Sequence, residues 1–222
     1  MLRSLRFVRG RLRFAGGREI PRLAWLALRS VFWTRLESRF YSMTAERVRS
    51  LPNPRPCRRD CYDDLQYYER FSYYQPPKGG YLEMAEERRK SAGHLYSLVA
   101  DGVLAHAGWL RERQDVQVNR HIHCAVRFPP ESALLWDFAT HPSARGRGLY
   151  RQTLHQCLHD AVELDGARQV YIYVDWDNRI SRHVIEKVGF EYQGSIVRER
   201  WLFKTRRRIL RAVPSFEAWP AE

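Results

Sequence analysis

The sequence has no apolar run of the length that a membrane-spanning helix needs, about 18 residues or more. Its longest run, Leu23 to Leu28, stops at Arg29. A transmembrane helix is therefore not expected. Residues 1–14 alternate Arg with apolar residues and lack the continuous apolar core of a secretory leader. There is no internal repeat and no low-complexity tract. Cysteine is scarce: Cys57, Cys61, Cys124 and Cys157 are the only four. Cys57 and Cys61 flank Arg-Arg-Asp, and no second close Cys or His pair completes the roughly four ligands that zinc takes. The expectation is reduced thiols, no metal and a cytoplasmic chain. Residues 1–50 lack lysine altogether and contain only three acids, Glu19, Glu37 and Glu46.

Arginine is what those fifty residues do hold. Twelve of them give the segment a charge of +9, and the other 172 residues share only +4 of the total of +13. The basicity is a property of an N-terminal extension, here residues 1–37. From Pro21 the text has good helix formers after a proline suited to a helix start. Leu23, Trp25, Leu26, Leu28, Phe32, Trp33 and Leu36 give a broad apolar face beside Arg22, Arg29 and Arg35. Such a helix has two readings. It packs on the rest of the chain with solvated arginines, or it lies on an anionic membrane surface through residues 1–36, at the inner face of a membrane. No nucleic-acid module accompanies the charge, so nucleic acid is not an expected partner.

The chain's 44% hydrophobic content is enough to bury a core. Residues 38–205 read as one domain and residues 206–222 as a tail. A short strand is expected at 38–43, then a helix with Thr44 as N-cap that ends before Pro52. Helical segments are expected within 60–74 and 81–90. The tyrosines of the first, Tyr62, Tyr67, Tyr68, Tyr73 and Tyr74, read as core or as a stacking surface for an acceptor. Asp101-Gly102 between two apolar runs, 94–100 and 103–110, predicts a hairpin. Another strand is expected at 121–128. Residues 133–140 read as a central strand buried on both faces. A helix presenting Tyr150, Leu154, Cys157, Leu158 and Ala161 on one face follows, with His155 and His159 opposite that face and solvated. Then come a strand at 169–175, a helix from Asn178 to Gly189, and one or two strands within 190–203.

The segment from Phe138 to Tyr150 joins the buried strand to that helix. Free backbone N–H groups and the positive end of a helix dipole suit a phosphate there. Gly146 and Gly148 permit close approach, and Arg145 and Arg147 add charge. No Gly-Lys-Ser/Thr follows, so this is not a Walker loop. The third glycine and the later acid of a dinucleotide-binding fingerprint are also missing.

The order of elements resembles the GNAT superfamily of N-acyltransferases over roughly residues 38–204, most closely over 133–196. That family's pyrophosphate signature corresponds to Arg145-Gly146-Arg147-Gly148-Leu149-Tyr150, with Tyr150 in place of the usual small residue. A second signature corresponds to Asn178, Ser181 and the run EKVGF at 186–190. The resemblance implies a mixed α/β (α+β) fold with a mostly antiparallel central sheet flanked by helices. It implies acetyl-CoA as co-substrate and an amine as acceptor, an amino sugar, peptide or small amine. It also implies that the Phe138 backbone N–H polarises the thioester carbonyl and that Ala139 and Thr140 pair with the pantetheine amides. The amides of 145–150 would hold the pyrophosphate, with Asn178 and Ser181 beside the pantetheine arm.

The chain departs from the family where protons move. Positions at which members often carry a base are Leu134 and Trp136, and the position of the usual tyrosine acid is Ile185. Asp137 is the only acid on that strand. A regular strand turns it to the opposite face, a bulge would change that, and its alternative role is a buried acid paired with an arginine. Tyr173 and Asp175 are the other catalytic candidates. Two function classes remain: direct acetyl transfer from acetyl-CoA to an amine, or a non-catalytic acyl-CoA-binding or membrane-associated adaptor.

Overall fold

The computed structural model describes residues 32–72, 75–112, 116–119, 124–202, 204–210 and 217–220. Eight strands form the central sheet. In chain order they are β1 (Trp33–Thr44), β2 (Arg58–Arg59), β3 (Gly93–Ala100), β4 (Val103–Arg111), β7 (Ser132–Thr140), β8 (Gln169–Asp175), β9 (Glu191–Trp201) and β10 (Lys204–Ile209). Their spatial order is β10-β9-β1-β8-β7-β4-β3-β2. Only β7 and β8 run parallel, and every other pairing is antiparallel. A second sheet pairs β11 (Glu217–Pro220), β6 (Cys124–Arg127) and β5 (Val116–Asn119), in that order. Four α-helices complete the described fold: α1 (Ala45–Arg49), α2 (Lys78–Lys90), α3 (Leu149–Glu163) and α4 (Arg179–Val188). The expected mixed architecture with a mostly antiparallel sheet is present. No helix among the described residues is long and apolar enough to cross a membrane.

Period-two alternation along the strands divides the interior into two layers. Ala133 and Leu135 of β7, with Val170, Ile172 and Val174 of β8, face α3 and α4. They pack there on Leu154, Cys157, Leu158, Ile185 and Val188. Leu134 and Tyr171 face the other way, onto Cys124 and Val126 of the small sheet. Further along that second face, Trp109 and Leu95 pack on Tyr81 and Ala85 of α2. Burying one such side chain contributes about 1.5–3 kcal/mol.

Local signals behave as their chemistry dictates. Asp101 and Gly102 both take positive φ, 52° and 74°, closing the β3–β4 hairpin. The Thr44 side chain accepts from the Arg47 N–H at the start of α1, and Asn178 accepts from the Ser181 N–H at the start of α4.

Four expectations are corrected. Trp33–Leu36 belong to β1 rather than to a helix, paired with Trp201, Arg200, Glu199 and Arg198 of β9. The part of the predicted helix at 21–31 lies outside the described residues. Lys204–Ile209, which cross into the expected tail, form β10 against β9, and β11 pairs with β6. The expected helix at 60–74 is a 3-10 helix, Tyr62–Tyr67. There Tyr68 is buried and stacked on Tyr81, Tyr62 packs near Trp109 and Tyr67 is exposed, while Tyr73 and Tyr74 lie outside the described residues. His159 is buried: it meets the Leu51 carbonyl at 3.1 Å and Glu163 at 3.0 Å. The polar side of α3 is covered by the segment 51–59, which bonds Gln156 through both polar groups of the Cys57 backbone. Cys57 itself is buried with its Sγ 3.2 Å from the Thr153 hydroxyl.

Candidate functional site

The site begins where the parallel pair comes apart. Ser132 to Leu135 of β7 are in register with Gln169 to Ile172 of β8, and pairing ends there. The far half of β8 stays bound to β1, from Ser38↔Asp175 onward, while the far half of β7 stays bound to β4. Residues 136–140 therefore present to the β8 side an edge that no described strand pairs. Backbone N–H and C=O groups on such an edge are available to an extended ligand.

A bulge sits in that half-strand. Trp136 is opposite Trp109 and Ala139 opposite Ala107, so Asp137 and Phe138 share the single residue Gly108. Asp137 takes φ 54°, in the left-handed region. The Phe138 ring lies over Gly108: a Cβ there would stand 2.2 Å from the ring. Glycine in the middle of β4 is thus the counterpart of the bulge, and a strand-interior glycine is the sequence signal that would have located it. The bulge also answers the question of where Asp137 points. Its carboxylate is 2.7 Å from the Arg88 guanidinium of α2, and Arg88 stacks over Trp109 at 4.8 Å and Trp136 at 5.6 Å. The arginine pairing is as expected, but Asp137 is exposed rather than buried.

Beyond Thr140 the chain turns through a 3-10 segment, Pro142–Ala144, with His141 as its cap. The loop then runs through Arg145 to Gly148 at the start of α3. Gly146 and Gly148 have φ 78° and 73°. Gly148 is the N-cap of α3 and supplies no side-chain cap, so the first-turn N–H groups receive no side-chain acceptor from it. From His141 to Arg151 the chain holds three arginines, Arg145, Arg147 and Arg151, and no acid. Arg145 to Gly148 are exposed. The helix dipole adds its own positive end.

Tyr150, the departure from the usual small residue, points inward as expected. Its ring packs 5.3 Å from Phe138, and its hydroxyl meets the Ser181 hydroxyl at 2.8 Å. Burial raises its pKa well above the ordinary phenol range. It ties the start of α3 to the start of α4 across the split. Ile185, where the family tyrosine would stand, is fully buried in the core under α4. Asn178 is the helix cap. Tyr173 and Asp175 lie on the opposite face of β8 from α3 and α4: Tyr173 packs on Phe40 at 5.8 Å, and Asp175 accepts from the Ser38 hydroxyl at 3.4 Å.

Sequence reasoning passed over His106. It is wholly buried in β4, paired with Thr140, with Nδ1 2.8 Å from the Thr140 hydroxyl and its ring 6.2 Å from Phe138 and from Tyr150. Its Nε2 has no partner among the described residues. Desolvation lowers its pKa to about 4, so the ring is neutral at physiological pH. A lone histidine inside a strand carries no pattern that would have singled it out.

The arrangement unites an open strand edge, a bulge and an uncapped helix N-terminus, which suits a donor with an extended amide-bearing arm and a phosphate. A family model for the acetyltransferase (GNAT) family matches residues 53–190. No curated protein matches the chain. Among solved structures, a GNAT-family acetyltransferase from Colwellia psychrerythraea is similar at 16% identity and a TM-score of 0.51, over 82% of this chain and 61% of that one. A functionally unknown conserved protein from Staphylococcus epidermidis is similar at 12% identity and a TM-score of 0.50, over 78% and 65%. This chain spans less than two thirds of the length of each, and likeness at that identity speaks to the fold. With the match covering more than half of the sequence, the chain belongs to the acetyltransferase (GNAT) family.

Proposed function

We propose that the chain is an N-acetyltransferase that uses acetyl-CoA as co-substrate and passes the acetyl group directly to an amine. The single observation that carries this reading is the split between β7 and β8, leading from the bulge at Asp137-Phe138 to the open N-terminus of α3. In this reading the amides of Arg145 to Tyr150 hold the pyrophosphate. The edge at Ala139 and Thr140 pairs with the pantetheine amides, and the Phe138 N–H donates to the thioester oxygen as it becomes an oxyanion. Asn178 and Ser181 act through structure: one caps α4, the other anchors Tyr150 beside the arm.

The acceptor nitrogen attacks the thioester carbon, the C–S bond breaks, the amine loses a proton and the departing thiolate gains one. For the first proton the candidates are Asp137, Tyr173 and Asp175. We favour Asp137, which the bulge exposes beside the edge that meets the thioester; Arg88 orients its carboxylate. For the second proton we assign the Tyr150 hydroxyl, the phenol that reaches the N-terminal end of α4 here.

The experiment is to incubate the chain with acetyl-CoA and a panel of amino sugars, peptides and small amines, and to follow free thiol. Acceptor-dependent release above hydrolysis supports acetyl transfer. Coenzyme A binding with no release for any acceptor class would instead make the chain an acyl-CoA-binding adaptor, a reading favoured by the apolar residues Leu134, Trp136 and Ile185.

The basic extension, expected at 1–36, is a separate proposal: the part of it that precedes β1 contacts an anionic membrane surface and holds the domain at the inner face of a membrane. Because β1 begins at Trp33, the informative truncation removes residues 1–31. If the truncated chain still sediments with anionic vesicles, the membrane proposal is wrong.

A further inference from the structure

A polar cluster lies at the far end of α3, about 20 Å from the donor site by the helical rise per residue. It gathers side chains from four places in the sequence. His94 is the second residue of β3, Glu112 follows β4, Asp165 lies just beyond α3, and Arg59 and Asp60 come from β2 and the residue after it. One ligating atom from each of His94, Glu112 and Asp165 lies within 4.8 Å of the others.

The roles within the cluster divide cleanly. The His94 Nδ1 is 2.7 Å from an Asp60 carboxylate oxygen, and its Nε2 is 2.7 Å from a Glu112 oxygen. Asp60 is itself fixed, since its other oxygen accepts from the Leu95 N–H at 3.1 Å. A carboxylate on one ring nitrogen is how metal-binding histidines are held, with the other nitrogen left to ligate. One oxygen of Asp165 accepts from Arg59 at 2.8 Å. The other is buried and has no partner among the described residues, on a side chain only 5% exposed. A buried carboxylate oxygen left bare is costly. The three carboxylates Asp60, Glu112 and Asp165 against Arg59 leave a formal charge of −2 before any proton on His94, whose pKa the Glu112 and Asp60 carboxylates raise; a divalent cation that displaces that proton would balance the charge.

We propose that His94 Nε2, Glu112 and Asp165 form a site for a single divalent transition-metal ion, with Asp60 and Arg59 as the groups that orient two of its ligands. An imidazole with two carboxylates suits zinc or manganese better than magnesium or calcium, which take oxygen ligands. The ion would clip the loop after α3 to the β3–β4 end of the sheet, serving stability rather than acyl transfer. The expectation of no metal came from cysteine spacing, and these ligands have no common spacing to read.

The test uses the untagged, chelator-treated full chain, titrated with zinc chloride or manganese chloride in equilibrium dialysis with elemental analysis. The expected result is one equivalent bound and a raised melting temperature. Asp165→Asn and Glu112→Gln should each weaken binding by about tenfold or more, and the exposed-surface control Glu86→Gln should leave it unchanged. Zinc should also shift the His94 ring signals in an NMR spectrum. Should Asp165→Asn fail to fold because Arg59 loses its partner, the partly exposed Glu112→Gln carries the comparison. No stoichiometric uptake of either ion, or the same affinity in a folded variant as in the parent, overturns the site and leaves His94 as an ion-paired structural histidine.

Discussion

Two buried residues of β4 carry consequences that a single substitution can expose. His106 has its folded pKa depressed to about 4, against about 6.5 in an unfolded chain. Between those values the unfolded state binds more protons, so stability rises with pH through this window and is lost as pH falls from about 6.5 toward 4. The shift corresponds to about 3 kcal/mol. Acid unfolding of His106→Gln should show a shallower slope than the parent over that range. Gly108 answers to sterics: a methyl group there meets the Phe138 ring, and Gly108→Ala should cost about 1–3 kcal/mol in chemical denaturation. Asp137 has a different signature. It is exposed and paired with Arg88; if its carboxylate takes the acceptor's proton as proposed, Asp137→Asn should leave coenzyme A affinity unchanged and lower kcat by about a hundredfold. Of these residues only Asp137 was singled out from sequence, as the one acid on its strand. His106 has no periodic or spaced partner to betray it.

Among the elements, the junction of β7 with α3 bears most of the proposed chemistry, and much of its local backbone geometry was legible in advance. Arg145 to Gly148 and the cap at Asn178 are local signals, written in residues that the turn itself requires. The bulge could not be read so directly. It depends on Gly108, about thirty residues earlier, meeting Phe138 across the sheet. The solvated role expected for His159 failed because amphipathic reasoning counts apolar faces only. The polar side of α3 is covered by residues 51–59 through hydrogen bonds to Gln156 and His159. The link between α3 and α4 makes its own prediction. Tyr150→Phe removes the hydroxyl that meets Ser181, at a cost of about 1 kcal/mol in stability. If that phenol protonates the thiolate, kcat should fall by about a hundredfold or more, while Ser181→Ala should lower it less. Thiol release measured with both variants separates the two roles.

For the molecule as a whole, the sheet order holds what sequence could least supply. β1 inserts between β8 and β9, a pairing that joins residues more than 120 positions apart and has no local signal. Its first residues were read as helix because Trp33 and Leu36 continue the helical spacing that begins at Leu23. Once paired, Leu36 and Phe40 sit on one face at strand spacing and pack in the layer under the small sheet. This insertion holds β8 in place on the side away from β7, so the split between β7 and β8 can stay open to a donor. Donor binding is proposed at that opening and at the loop that ends it at Gly148. The most direct measurement is calorimetric titration of coenzyme A into the parent chain and into Gly148→Val, with circular dichroism to establish that both are folded. The expected result is stoichiometric binding by the parent and a loss of about a hundredfold or more in the variant, two or more hydrogen-bonded phosphate contacts being forfeited. Equal affinity in both, or no binding by the folded parent, would contradict it.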